Sequence, residues 1–509
     1  MLKHSPPLPL IINYQNTCAT MTTEDEEGIL LALEQHDRVR RIVLHAPPQD
    51  LLKFLTAMNE NFLTLERLSI LSTSGDDASL VMPKAFQAAR LSHLTLLGVT
   101  LFAEEPRSLA STTSLVSLTL TDLRASPYVP PEDLAAQLQF VPLLEELSIN
   151  FSVPIPRFHI QMRGIESPIT RATLPVLKRF IFRGVSAYLE GLLARISAPC
   201  LRKFDVTLFS QLTFALPVLS RFIDATAELR FPVAKINFNQ KSLSITISDD
   251  SDREEEAGRA QGDSLKSLYV QVSCKPFDWQ VSSAAQICNA LWRMLPAVEE
   301  LAIDFYEHGM PPEWRDEVDS RTWRDLLRPF KRVKKLRVGH ALTLDLFRAL
   351  QPDDSEQQQQ LCTTAAGLCL SLLLPMLQEL VLEEGCDDNA FTAFIDARRR
   401  IGCPIELVIR PSGRDPRAKT KQDNNASSRP ARPARGGGGY ISSQPMPRRS
   451  LKLHVPGSYP ASPMSRLRML ETASMSPISP DSSSTRLCPT LPLSGVVEQY
   501  LERLRINYP

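Results

Sequence analysis

One six-residue pattern recurs along the first four-fifths of the chain: apolar, two polar, apolar, any, apolar. It begins at Val39, Leu65, Leu91, Leu115, Leu144, Leu177, Leu201, Val233, Leu265, Val298, Val333 and Leu377. The windows are defined by their apolar positions, so the two residues between the first and second of these are the informative ones. All of those intervening residues except Val116 and Ala234 are polar or charged, in a chain that is 43% hydrophobic. Such a bias marks a short strand with one wet face. Successive starts lie 24 to 44 residues apart and average about 31, the scale of a solenoid repeat. Pro142, Pro175, Pro199, Pro296 and Pro375 each stand two residues before a window. A proline there ends the preceding segment and lacks an N–H just before the ladder begins.

The segments between windows read as helices. Thr23-Glu-Asp-Glu26 has the form of a capping box ahead of Ile29–Leu33. Pro131 suits a first helical position, with Leu134 and Leu138 on one face. Further helices are predicted over Leu51–Met58, Ala187–Ile196, Leu216–Leu229, Val281–Leu295, Trp323–Phe330 and Phe391–Ile401. A strand, a helix and a neighbouring strand predict parallel strands joined by right-handed crossovers. The fold class expected for residues 1–410 is therefore α/β: an irregular solenoid of leucine-rich-repeat type, with strands lining a concave face. The Asn or Cys that ordinarily occupies the ninth position is missing. Pro47, Thr73, Val99, Ser152 and Phe209 stand there instead, which predicts uneven coils.

Composition then divides the chain. It has 509 residues, with 57 Lys+Arg against 57 Asp+Glu. Residues 411–509 hold 15 basic and 6 acidic residues, 14 prolines and no window, a net charge of +9. Residues 1–410 carry the compensating −9. The tail reads as disordered and basic, too poor in apolar periodicity to offset chain entropy. Within it, 496–506 is a candidate short helix with Val497, Tyr500, Leu501 and Leu504 on one face. Two excursions inside the array, an acidic loop at 248–263 and a polar loop at 351–360, read as disordered. Ser248, Ser251, Ser462, Ser476 and Ser479 are candidate phosphosites, the first two beside acidic residues and the last three before prolines.

Candidate chemistry follows from the strand period. Third and fifth window positions face away from the core. The partner-binding candidates on that face are Arg41, Arg67, His93, Arg179, Lys203, Lys235, Tyr269, Lys335 and Arg337. The face is mixed but mostly basic, which favours an acidic or phosphorylated ligand. No enzyme is expected. Gly262-Asp-Ser-Leu265 spells a serine-esterase signature, but no Asp-x-x-His follows to supply base and orienter. Nine scattered cysteines without a Cys-x-x-Cys pair, and eight scattered histidines, predict neither a disulfide framework nor a metal site, and no cofactor is implied. The prolines in MLKHSPPLPL break any signal-peptide core, and the apolar run Leu368–Leu377 is too short to cross a bilayer. A soluble protein of the cytoplasm or nucleus is expected, monomeric by itself and not directed at membrane or nucleic acid.

Several stretches outside the windows are more specific: Leu8-Pro-Leu-Ile11, Arg183-Gly-Val-Ser-Ala-Tyr-Leu189, Phe277-Asp-Trp-Gln-Val-Ser-Ser-Ala-Ala-Gln286 and Phe391-Thr-Ala-Phe-Ile-Asp-Ala397. With them, residues 1–410 resemble a large family of mushroom-forming (basidiomycete) fungi, the F-box proteins with a degenerate leucine-rich-repeat region. The resemblance implies a substrate receptor: an F-box docks the Skp adaptor of a cullin-type ubiquitin ligase while the repeats hold the substrate. In that family the F-box lies upstream of the region that begins here at Pro6, so this chain is expected to lack it. Leu491-Pro-Leu-Ser opens like an F-box, but the stretch from there to Pro509 is too short for its helical bundle. The alternative reading is a repeat scaffold unrelated to ubiquitin, with a basic, phosphoregulated tail.

Overall fold

The structure, a computed structural model, describes residues 8–15, 21–72, 80–83, 86–100, 109–123, 129–152, 171–211, 213–226, 229, 231–249, 266–305, 318–351, 373–383, 388–400 and 402–410. The chain divides into two units, Met1–Asn424 and Asn425–Pro509, and every described residue belongs to the first. Ser251, Ser264, Ser462, Ser476, Ser479 and the candidate helix at 496–506 lie outside the described residues, as does almost all of both predicted loops.

The strands run β1 (Leu10–Gln15), β2 (Val39–Ala46), β3 (Arg67–Ser72), β4 (Leu80–Val81), β5 (His93–Leu97), β6 (Val99–Thr100) and β7 (Ser117–Leu123). There follow β8 (Glu146–Phe151), β9 (Ala172–Thr173), β10 (Arg179–Gly184), β11 (Ile196–Ser197), β12 (Lys203–Leu208) and β13 (Val233–Phe238). The last six are β14 (Ser242–Ser248), β15 (Ser267–Ser273), β16 (Glu300–Phe305), β17 (Lys335–Val338), β18 (Glu379–Glu383) and β19 (Glu406–Arg410). Fifteen of these form one sheet in the order β1-β2-β3-β5-β7-β8-β10-β12-β15-β14-β13-β16-β17-β18-β19, and β4–β6 and β9–β11 are small separate pairs. Each of the twelve windows falls on one strand of the main sheet. Strands β1, β14 and β19 lie outside the windows.

The described helices are α1 (Thr23–Leu33), α2 (Pro48–Ala57), α3 (Pro131–Leu138), α4 (Ser186–Leu193), α5 (Pro217–Asp224), α6 (Phe277–Ala290), α7 (Ser320–Leu327), α8 (Thr343–Leu350) and α9 (Asp388–Arg400). Pro131 does occupy the first position of α3. In α1 the cap is Thr22, one residue earlier than the sequence pattern placed it: its Oγ1 accepts the Asp25 amide at 3.1 Å. Among the described residues no helix separates β3, β5 and β7.

The sheet also departs from simple succession at its centre. Strand β12 pairs not with β13 but with β15, and β13 pairs with β16, both parallel. Between them β14 runs antiparallel to both β13 and β15. Its sequence SLSITIS alternates strictly, Leu243, Ile245 and Ile247 entering the core. It lacks the apolar lead-in of the window pattern, which is why that pattern passes over it. The β13–β14 turn is built by Asn239, whose Oδ1 accepts the amides of Lys241 and Ser242 at 2.8 Å. From α6, the buried Gln280 Nε2 donates to the carbonyls of Asn239 and Cys274 at 2.8 Å. The predicted acidic loop is thus the connection of an antiparallel hairpin, and it begins after Ser248. Ser248 itself is the last residue of β14, paired with Val233 and Ser267 and 7% exposed. That burial argues against its assignment as a loop phosphosite.

Two devices tie coil to coil where the asparagine ladder is missing. First, the carbonyl of the second window residue accepts two amides from the next coil. Glu66 takes those of Ser92 and His93, Glu145 those of Lys178 and Arg179, and Glu299 those of Lys334 and Lys335, all at 2.8–3.1 Å. Second, aromatic rings pack strand against strand and strand against helix. Phe180 stacks on Phe204 with centroids 5.1 Å apart, and Phe238 meets both Phe277 and Trp323. Gly184 is required beside such a ring pair, since a Cβ there would come within 2.8 Å of both Phe151 and Phe182.

Helix α5 has no side-chain cap of its own, because Leu216 precedes Pro217. The buried Glu190 of α4 supplies it, accepting the amides of Val218 and Leu219 at 2.7 and 2.8 Å. Glu190→Ala leaves both amides unmet in a buried place and should cost about 1–3 kcal/mol of stability. Glu190→Gln, which keeps one acceptor, should lose less. Urea unfolding of the two variants beside the parent chain measures the order.

Candidate open-face site

Strand periodicity places alternate residues on opposite sides of the sheet. One side is core: Ile42, Leu68, Leu94, Leu118, Leu147, Phe180, Phe204, Leu268, Leu301, Leu336 and Leu380 are all 0–2% exposed. Most of their neighbours in each strand are half-buried or exposed and form the open face, Val43 and Val381 being buried exceptions.

Register lines these residues up in rows. The first row holds Arg41, Arg67, His93, Ser117, Glu146, Arg179, Lys203 and Ser267 on successive strands. Across the β13–β15 hairpins it continues through Ser248 and Val233 to Glu300, Lys335 and Glu379. The second row includes Asp205, Tyr269, Thr246, Lys235, Ala302 and Arg337. All nine sequence-predicted candidates therefore lie on one face. They do not form one cluster: Arg41, Arg67 and His93 sit at one end, Arg179, Lys203, Tyr269 and Lys235 in the middle, Lys335 and Arg337 at the other end.

Lys235 is in the second row rather than the first. Its strand is two residues out of step with its window, because Ala234 and Ile236 pair with Leu301 and Ile303. Val233, chosen as a core position, accordingly faces outward and is half-buried.

The three groups differ in how their charge is met. Lys335 lies 4.0 Å from Glu300 and 3.6 Å from Glu379. Arg179 reaches Asp205 at 4.0 Å. Burial pushes the Asp205 carboxyl above its ordinary pKa, while Lys203 and Arg179 pull it down. By contrast, neither Arg41 nor Arg67 has an ion pair or side-chain hydrogen bond among the described residues. The nearby Glu66 is held by Arg40 at 2.8 Å, which keeps its carboxyl below the usual range, with weaker help from the charges of Arg67 and Arg90.

Beyond these rows the open face carries residues that the window pattern underplays. Ser69, Thr95, Thr119 and Ser148 occupy the second row at its N-terminal end. Leu71 and Leu97 pair in a third row, half-buried. Continuing the two-residue period one step past each six-residue window would have found that third row.

No other chemistry gathers here. Among the described residues no three His, Cys, Asp or Glu side chains converge to hold a metal ion. Cys274 and Cys288 are buried, and burial pushes the Cys274 thiol up to about 12 and that of Cys288 up as well. No described helix is long and apolar enough to cross a membrane.

His93 reports the local field. Burial, and then the charge of Arg67, hold its imidazole below the ordinary pKa, against a weaker upward pull from Glu146. Its Nδ1 lies 2.9 Å from Ser92 Oγ. NMR titration of the His93 ring should show the pKa rising in Arg67→Ala and falling further in Glu146→Gln.

No protein-family model matches the chain, and no curated protein matches it. Among solved structures, a match is found to the crystal structure of a TLR13–ssRNA13 complex, 12% identical. It covers 74% of this chain and 46% of that one, at a TM-score of 0.26. The chain thus spans a little under half the length of that chain, and a TM-score so low falls short of a shared overall shape.

Proposed function

We propose that residues 1–410 are a leucine-rich-repeat-type solenoid acting as a non-enzymatic protein-recognition module, whose reading surface is the open face of the sheet. One observation carries this reading. The strands hold in-register rows of charged, hydroxyl and aromatic side chains on a face opposite the core. A solvated face of that size, held rigid by the sheet, suits the display of a pattern to another protein. The resemblance in sequence extends the proposal to the substrate-receptor region of an F-box type ubiquitin-ligase subunit. Adaptor and cullin would then be engaged only through an F-box supplied ahead of this region.

Affinity capture with the full chain and with Ser69→Arg/Thr119→Arg, which blocks the open face, tests recognition. The proposal expects partners captured by the parent chain to be lost from the variant, while Trp292→Ala on the helical side retains them. Capture indifferent to the open-face substitutions would sink it. The ubiquitin extension further expects captured partners to accumulate when the gene is deleted. Unchanged levels leave a scaffold instead.

A further inference from the structure

The two guanidiniums at the N-terminal end of the open face differ from Arg179 and Lys335 farther along it, which meet carboxylates. Arg41 and Arg67 are direct register partners on β2 and β3, so their backbones lie about 4.8 Å apart. Two like charges at that spacing repel, yet no described carboxylate is within ion-pair distance of either one. Moving along the first row from Arg67, the first carboxylate is Glu146, three strands away or about 14 Å. Next to the pair in the second row are the buried Val43 and the half-buried hydroxyl of Ser69, with Thr95, also half-buried, one strand farther on beside His93. The third row then turns apolar with Leu71 and Leu97.

We propose that Arg41 and Arg67 form the phosphate-binding end of this face, and that the ligand is a phosphorylated peptide segment of a protein partner. The proposal rests on the open-face reading above and specifies its ligand. A carboxylate satisfies a single guanidinium bidentately. A phosphate monoester carries close to two charges and three acceptor oxygens, and so matches two guanidiniums with the Ser69 hydroxyl beside them. A long polyanion fits less well, because the same row runs on into Glu146 and later Glu300 and Glu379. From Arg67 to Leu71 is four residues along the strand, about 13 Å. An extended peptide lying parallel to the strands therefore sets an apolar side chain about four residues from the phosphate.

The test uses the full chain and a degenerate peptide library with a fixed central phosphoserine, beside the same library with serine. Phosphorylated peptides should be enriched, with apolar residues favoured four positions from the phosphoserine. Fluorescence anisotropy on the selected peptide should show at least a tenfold loss in Arg41→Ala/Arg67→Ala, a smaller loss in the double Lys variant, and less than twofold in Arg179→Ala. Leu71→Ser/Leu97→Ser should relax the apolar preference while leaving the phosphate requirement. Unchanged thermal unfolding verifies that the variants fold. Equal retention of both libraries, with loss in Ser69→Arg/Thr119→Arg, would overturn the phosphate assignment and leave the open-face reading standing. Competition by a single-stranded oligonucleotide at equal phosphate concentration, undiminished phosphopeptide binding in the double Ala variant, or no enrichment at all would each overturn it too.

Discussion

One shared hydrogen-bond acceptor organises the described part of this protein. At the start of eight strands of the main sheet, a single carbonyl of the neighbouring strand's lead-in receives two amides. A buried or half-buried backbone group must find a partner, and here the partner comes from the adjoining coil. Each coil therefore fixes the height at which its neighbour begins. That common level is what brings core leucines opposite core leucines, and outward residues opposite outward residues, across strands far apart in sequence. An asparagine ladder would hold the coils at the other end of the strand. Its absence is compatible with an ordered array because this end is already pinned and because stacked rings such as Phe180 and Phe204 fill the interior between coils.

The second and third window positions divide the charged residues into two roles. Charges at the second position pair from coil to coil: Arg40 with Glu66, Lys178 with Glu145, Lys334 with Glu299, each at 2.8 Å. These pairs are largely exposed and contribute little to stability individually. Their effect is to engage these six second-position charges with one another, while the open face depends on the third and fifth positions. A pattern that treats the two polar positions as one class cannot separate them. The register can.

The sequence pattern reaches the class of the fold and every strand that begins with an apolar lead-in, because both reflect a period that burial enforces. It reaches the open-face residues for the same reason. What escapes it is order. Nothing in Val233–Phe238 or Ser267–Ser273 says that they will sit in reversed sequence beside β16 and β12, since each carries the same alternation as its neighbours. The signal lay in Ser242–Ser248, whose alternation and preceding Asn239 turn mark a hairpin that only an antiparallel strand can complete. Lys235 shows the limit of template matching at single-residue scale: a two-residue shift keeps its side of the sheet but changes its row.

That reversal bears on how the chain acquires its structure. In a repeat array, order can spread from each unit to the one after it, because neighbours in space are neighbours in sequence. Here Lys203 pairs with Ser267, and Val233 pairs with Glu300, so each pairing skips a whole repeat of the window pattern. Elsewhere the step is a single repeat, as from Arg67 to His93. Growth from β12 cannot continue onto β13. It must wait for the three strands β13, β14 and β15 to assemble and present β15 as the next edge. The sheet thus has two runs of single-repeat steps joined by pairings that span twice the usual sequence separation, and contacts of that separation form late.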